Sequence, residues 1–242
     1  MEKQHRFLDV CVDEFKPFTV NRKIGIKKWD GSLIVPPICI ETPDLNDLEN
    51  LGYTFIHTEE GCILIDKLGK QLLGPMEEIG WFYEPKHLIV AFKNFESESC
   101  GLYFVESKET VDGIDDATME TNFIQTVAKS KVGAVSYEGK VIFEPNYKEI
   151  AIFGKRFFIA YDENAHATIT YSKWKRSISG LTYYKVLLRK RCNEVLLVRN
   201  YNGKFQWINC ETGEELEETR ELANLRKLAE RDLARNKGNK GL

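Results

Sequence analysis

A glycine followed six residues later by a proline, inside a fixed pattern of apolar runs, recurs along this chain. In IGIKKWDGSLIVPP, CILIDKLGKQLLGP and VGAVSYEGKVIFEP an alternating apolar run reaches a glycine turn, and a second apolar run leads to the proline. The anchor pairs are Gly31 and Pro37, Gly69 and Pro75, and Gly139 and Pro145. A fourth phrase, VLLVRNYNGKFQWIN, keeps Gly203 and has Asn209 at the proline position. Apolar alternation broken by a glycine turn is the pattern of a β-hairpin. When such a phrase repeats, each copy is a unit that buries its apolar face only against its neighbours.

The spacings predict further copies. Gly31 and Gly69 are 38 residues apart, whereas the next two gaps are 70 and 64, each about two units long. One degenerate copy falls between 88 and 112, where HLIVAF and CGLYFVESKETV form a hairpin turning near Ser107 and Lys108. The other falls between 157 and 178, in RFFIAYDENAHATITYSKWKRSI, turning near Lys173. The expected fold is all-β: about six antiparallel hairpin or three-strand units, arranged as a curved solenoid or a propeller-like array.

VGAVSYEGKVIFEPNYKEI, with the GKRFFIAY run after it, resembles the bacterial WG-repeat (KWG-repeat) family. Its unit runs as lysine, Trp-Gly, a few strand residues, a Gly-Lys turn, an apolar triplet, proline and an aromatic. The resemblance is good around Gly139, fair around Gly31 and Gly69, and weak elsewhere. The tryptophan that names the repeat is replaced here by Val132, Ile24 and Cys62. Such a resemblance implies a non-enzymatic protein and nothing more about its task.

Alternation along each unit divides the side chains between two faces. Val132 and Ala134, Ile24 and Ile26, Cys62 and Leu64, and Leu196 and Val198 share one parity, expected to face the core. The other parity is mixed, and two residues before the turn glycine it carries Trp29, Tyr137 and Tyr201, with Lys67 in the remaining unit. Aromatic rings at repeated hairpin tips, beside Lys27 and Arg199, could bind a peptide, a glycan or a stacked base, and a protein or peptide partner is the expected one. Equally, each ring can simply cover backbone of its own or an adjacent unit. The prolines are expected to end the second strand of their hairpins, where a missing N–H costs least.

With 34 basic and 37 acidic side chains the formal charge is −3, so no global field draws the chain onto nucleic acid or an anionic membrane. A local basic and aromatic patch does exist, Arg189, Lys190 and Arg191 together with Trp174 between Lys173 and Lys175. Nucleic-acid binding would use such residues, but cations at two hairpin turns of a near-neutral chain are expected to serve solubility. Phosphate-binding glycine loops, nucleophile elbows and paired metal-binding histidines are absent from the sequence. His5, His57, His87 and His166 are scattered, and the cysteines at 11, 39, 62, 100, 192 and 210 lie at least 18 residues apart. The cysteines are therefore expected to be reduced core residues, with no metal and no cofactor. Acidic pairs such as Asp115-Asp116 and Asp162-Glu163 fall in predicted turns.

After Gly213 the period changes. Leu222, Leu225, Ala229 and Leu233 recur at three and four, which predicts an amphipathic helix that caps the array or mediates dimerisation. The expected organisation is a lead-in over 1–17, a β-repeat domain over 18–212, and the helix with a frayed tail over 213–242. The N-terminus lacks a signal-peptide h-region and no run of about 18 apolar residues occurs, so a soluble, cytoplasmic protein is expected. The functional expectation is a non-enzymatic binding or scaffold protein. The alternative is a hydrolase-type enzyme whose site forms where units converge.

Overall fold

The computed structural model describes residues 14–82, 87–95, 97, 99–153, 157–171, 174, 177–187 and 195–238. Two compact units divide it: residues 1–115 with 137–139, and residues 116–136 with 140–242.

Three antiparallel sheets build the first unit. β1 (Phe15–Val20), β2 (Lys23–Lys28) and β3 (Leu33–Cys39) form one; β4 (Tyr53–Thr58), β5 (Gly61–Asp66) and β6 (Gln71–Met76) form the second. The third runs β7 (Glu78–Trp81), β8 (Ile89–Lys93), β9 (Cys100–Phe104) and β10 (Glu109–Ile114). Sequence reasoning omitted one short helix, α1 (Leu45–Asn50), between the first two sheets. Asp44 starts it by accepting from the N–H groups of Asn46 and Asp47, and Gly52, at φ +86°, follows it.

The second unit starts with β11 (Asp116–Met119), β12 (Ile124–Ala128), β13 (Lys131–Val135) and β14 (Val141–Tyr147) in one sheet. Its other sheet has seven strands: β15 (Glu149–Phe153), β16 (Phe157–Tyr161), β17 (Ala167–Tyr171), β18 (Ile178–Leu187), β19 (Val195–Asn200), β20 (Phe205–Asn209) and β21 (Glu215–Leu216). Both degenerate copies are present as hairpins. β9 and β10 turn over 105–108, and β17 pairs with β18 across a connection whose Lys173 lies outside the described residues. The last two repeats share a single sheet.

All four turn glycines adopt the left-handed backbone expected of them, at φ +95° for Gly31, +77° for Gly69, +84° for Gly139 and +77° for Gly203. Two expectations need correction. The prolines lie within the second strand rather than at its end: Pro37 is inside β3, Pro75 inside β6 and Pro145 inside β14. Each of these strands is the edge of its sheet and carries register shifts against its partner, a position where a missing N–H leaves no broken ladder. Nor is the second parity an outer face along its length. Ile63 and Ile65 are buried with Phe15, Ile26 and Val35, whereas Leu64 between them is buried with Val90, Phe92 and Tyr103. β5 thus feeds two cores, one from each face, because the sheets of a unit stack, and only the hairpin tips stay mixed.

The C-terminal helix, α2 (Arg220–Gly238), begins later than the sequence suggests. Residues after Gly213 first form β21 against Trp207 and Ile208, and the Thr219 hydroxyl then accepts from the Leu222 N–H. Leu222 and Ala229 are buried against Val195, Leu197 and Trp207, with Leu225 packed beside them. The helix covers one face of the last repeat, which is the capping role expected of it. No described helix is long and apolar enough to cross a membrane.

Candidate functional site

The three tip aromatics have different surroundings. Trp29, just beyond β2, is 61% exposed, and the Lys16 ammonium lies 4.1 Å from its ring centre. Tyr137 is half-buried and stacks on His87 at 5.4 Å with nearly parallel planes. Tyr201 is 55% exposed, meets the His166 ring edge-on at 4.4 Å and lies over Gly180. Arg199 closes its own hairpin, donating from Nε to the Gly203 carbonyl at 3.2 Å, with its guanidinium over Phe205. Local covering therefore accounts for Tyr137 and Arg199. Trp29 keeps most of its surface open, next to Lys27.

The register of the first hairpin explains what gathers around Trp29. Antiparallel pairing sets Lys16 directly opposite Lys27 and Phe18 opposite Gly25, so these side chains share one face of the β1–β2 ribbon. Two like charges opposite each other are unfavourable by a few tenths of a kcal/mol. The ammonium groups lean apart onto rings, Lys16 over Trp29 and Lys27 over Phe18 at 5.0 Å. Lys23, on the same face, reaches Glu59 at 2.9 Å. Lys28 points to the other side, where Glu14 binds it at 2.7 Å and Lys67 reaches the same carboxylate at 4.0 Å. The Lys28 hydrogen bond, with a smaller contribution from Lys67, lowers the Glu14 carboxyl from its ordinary value. The face thus presents three lysines and two aromatic rings with Glu59 at its margin.

Of the basic and aromatic patch of the late repeats, only Trp174 lies among the described residues. Trp174 is buried among Phe157, Tyr171 and Gly213 and donates from Nε1 to the Cys210 carbonyl at 2.8 Å, while its flanking lysines and Arg189 to Arg191 lie outside the described residues. The pair Asp162-Glu163 is a turn, as expected: one Asp162 oxygen accepts from the backbone N–H groups of Asn164 and His166. Cys39, Cys62 and Cys210 are buried and Cys100 is partly buried, while Cys11 and Cys192 lie outside the described residues. Among the described residues no group of three metal-ligating side chains converges.

One juxtaposition escaped sequence reasoning. The Cys62 sulfur lies 3.1 Å from Nδ1 of His57, and Nε2 of the same ring lies 3.2 Å from a Glu41 oxygen. The detectable signal was HTEEGC, a histidine five residues before a cysteine across a two-residue turn, a separation that places both on one face of a hairpin.

No protein-family model matches the chain, and no curated protein matches it by sequence. Among solved structures it is similar to Hsv2 of Kluyveromyces lactis, at 12% identity and a TM-score of 0.26, covering 70% of this chain and 60% of that one. It is also similar to BamB from Moraxella catarrhalis, at 8% identity and a TM-score of 0.24 over 85% of this chain and 72% of BamB. The N-terminal domain of Nup159 matches at 7% identity and a TM-score of 0.27, over 83% and 72% of the two chains. All three TM-scores lie below one half, so any function has to be argued from this chain's own residues.

Proposed function

We propose that this chain is a non-enzymatic binding module, a divergent member of the WG-repeat group, and that it takes an acidic protein or peptide segment on the outer face of the β1–β2 ribbon. The observation that carries this reading is the Lys16–Lys27 cross-strand pair flanked by exposed Trp29 and half-buried Phe18. The cross-strand repulsion between the two cations costs folding a few tenths of a kcal/mol, whereas an incoming carboxylate gains from both. The rings add what the lysine ammonium groups alone cannot supply: an apolar surface for the peptide's carbon atoms and a large contact area at low entropic cost. An extended segment laid along the ribbon would meet Lys23, Phe18, Lys27, Lys16 and Trp29.

Trp29 makes the test direct, because Trp174 and Trp207 are buried and Trp81 is partly buried. A glutamate-rich peptide titrated into the protein should change the Trp29 fluorescence and bind more weakly as salt rises, while a lysine-rich peptide should do neither. The double variant Lys16→Glu with Lys27→Glu should bind at least about tenfold more weakly with an unchanged circular dichroism spectrum. Equal binding by that variant, or equal binding of both peptides, would sink the reading.

A further inference from the structure

β4 and β5 are joined through Glu59 and Glu60 alone, so His57 and Cys62 are direct cross-strand partners with side chains on one face. The backbone after β3 delivers the third member: the Ile40 N–H donates to the His57 carbonyl at 2.8 Å, which sets Glu41 beside the ring. Both ring contacts are satisfied together by one tautomer, with the proton on Nε2 donated to Glu41 and Nδ1 accepting from the thiol. A sulfur nucleophile, a base and a carboxylate that orients the base are thereby in hydrogen-bond order.

The geometry points to Cys62 as a thiol–disulfide exchange site for small disulfides, with His57 as its base and Glu41 as the positioning residue. In the forward step the Cys62 S–H proton passes to Nδ1 of His57 while the sulfur attacks one sulfur of the incoming disulfide. The S–S bond of that disulfide breaks, and the departing thiolate takes the proton back from His57. One mixed disulfide forms and one thiol is released, with no further oxidant.

The surroundings decide which disulfides enter. Cys62 is 7% exposed and the His57 side chain 41%, so the approach is over the imidazole. Burial pushes the Cys62 thiol up, and the carboxylates of Glu41 and Glu78 push it the same way. Glu77 is paired with Lys93 at 3.1 Å, and Lys93 also acts on Glu78, so one ammonium stands against the carboxylates of Glu41, Glu77 and Glu78 and the charge facing the sulfur is net negative. Two consequences follow. The thiol rests protonated and needs the imidazole to react, and a cationic disulfide is favoured over an anionic one.

The intact protein is incubated separately with cystamine and with glutathione disulfide, and the adduct on each cysteine is followed by peptide mass analysis. Cys39, fully buried, serves as the internal reference. Expected is cystamine labelling of Cys62 at least about tenfold faster than of Cys39, with glutathione disulfide slower than cystamine. His57→Gln should slow Cys62 by about a hundredfold and leave Cys39 unchanged. Glu41→Gln should slow it severalfold and shift its pH profile, with Glu41→Asp restoring both. The proposal is overturned if Cys62 reacts no faster than Cys39, if His57→Gln reacts as the wild type does, or if the anionic disulfide is preferred. Should His57→Gln unfold the hairpin, Cys39 labelling would rise with it, and Glu41→Gln, on an exposed side chain, then decides.

Discussion

Two turn glycines with the same backbone have different neighbours, and this separates two costs. Gly31 and Gly69 both have positive φ, but a Cβ at Gly31 would meet nothing within 4 Å, while at Gly69 it would lie 2.1 Å from the Ile34 carbonyl oxygen. Gly31→Ala should therefore cost only the left-handed backbone term, about 1–2 kcal/mol. Gly69→Ala adds a backbone collision and should cost clearly more. Urea unfolding of the two variants checks this, and equal losses would show that the close approach at Gly69 is unimportant. A second residue-scale expectation concerns Tyr161, whose hydroxyl donates to that of Tyr184 at 2.8 Å. Burial first, and then that hydrogen bond, raises the Tyr161 hydroxyl far above its ordinary value of 10.0. The folded chain then holds a proton that the unfolded chain loses. The stability this represents is intact below pH 10 and is lost as pH rises from there towards the folded-state value. Unfolding followed by circular dichroism between pH 9 and 12 should show that decline, and Tyr161→Phe should flatten it.

At the scale of elements, the helix cap carries its own test. Leu222→Ala removes a buried side chain from the seam between α2 and β19–β20 and should cost about 2–4 kcal/mol, with Trp207 emission moving to the red. Glu218 adds a pH-dependent tie: it accepts from Nε of Arg226 at 2.7 Å and from the Trp207 indole at 3.3 Å. The Arg226 contact, followed by the indole bond, holds the Glu218 carboxyl below its ordinary value of 4.5. Its contribution is present above pH 4.5 and is lost as pH falls through the lowered value. Glu218→Gln should make the helix contacts less sensitive to acid, as read from Trp207 emission.

Elements were also where the sequence could be read best. Glycine turns and alternation gave the hairpins, and a change of period gave the helix. The start of α2 was less legible because Glu215-Leu216 is short, and its strand character comes only from pairing with Trp207 and Ile208. The outer face was misjudged along β5 because Ile63 and Ile65 meet a stacked sheet, a long-range contact that alternation within one strand does not encode. Of the candidate site, the sequence supplied Trp29 and Lys27. It did not supply Lys16, which joins them only through strand register, nor the Cys62–His57 pair, which depends on a hairpin turn two residues long.

At the scale of the molecule, each compact unit carries its own buried clusters, which gives a regional expectation. Leu64→Ala empties a fully buried position between the second and third sheets of the first unit. Hydrogen exchange should accelerate in β4 to β9 and stay unchanged in β16 to β20, as nearest-neighbour coupling in repeat folds requires. Uniform acceleration would instead mean that both units unfold as one. The seven-stranded sheet bears on heredity as well as on folding. β18, ten residues long, pairs with β17 on one side and β19 on the other, so the last two repeats share one sheet, with register shifts in both pairings. A recombination that separated them would leave two raw strand edges. In descent from an ancestral array these two repeats would be duplicated, lost or exchanged as a pair, with the tolerated breakpoint before Glu149 rather than at Ile178.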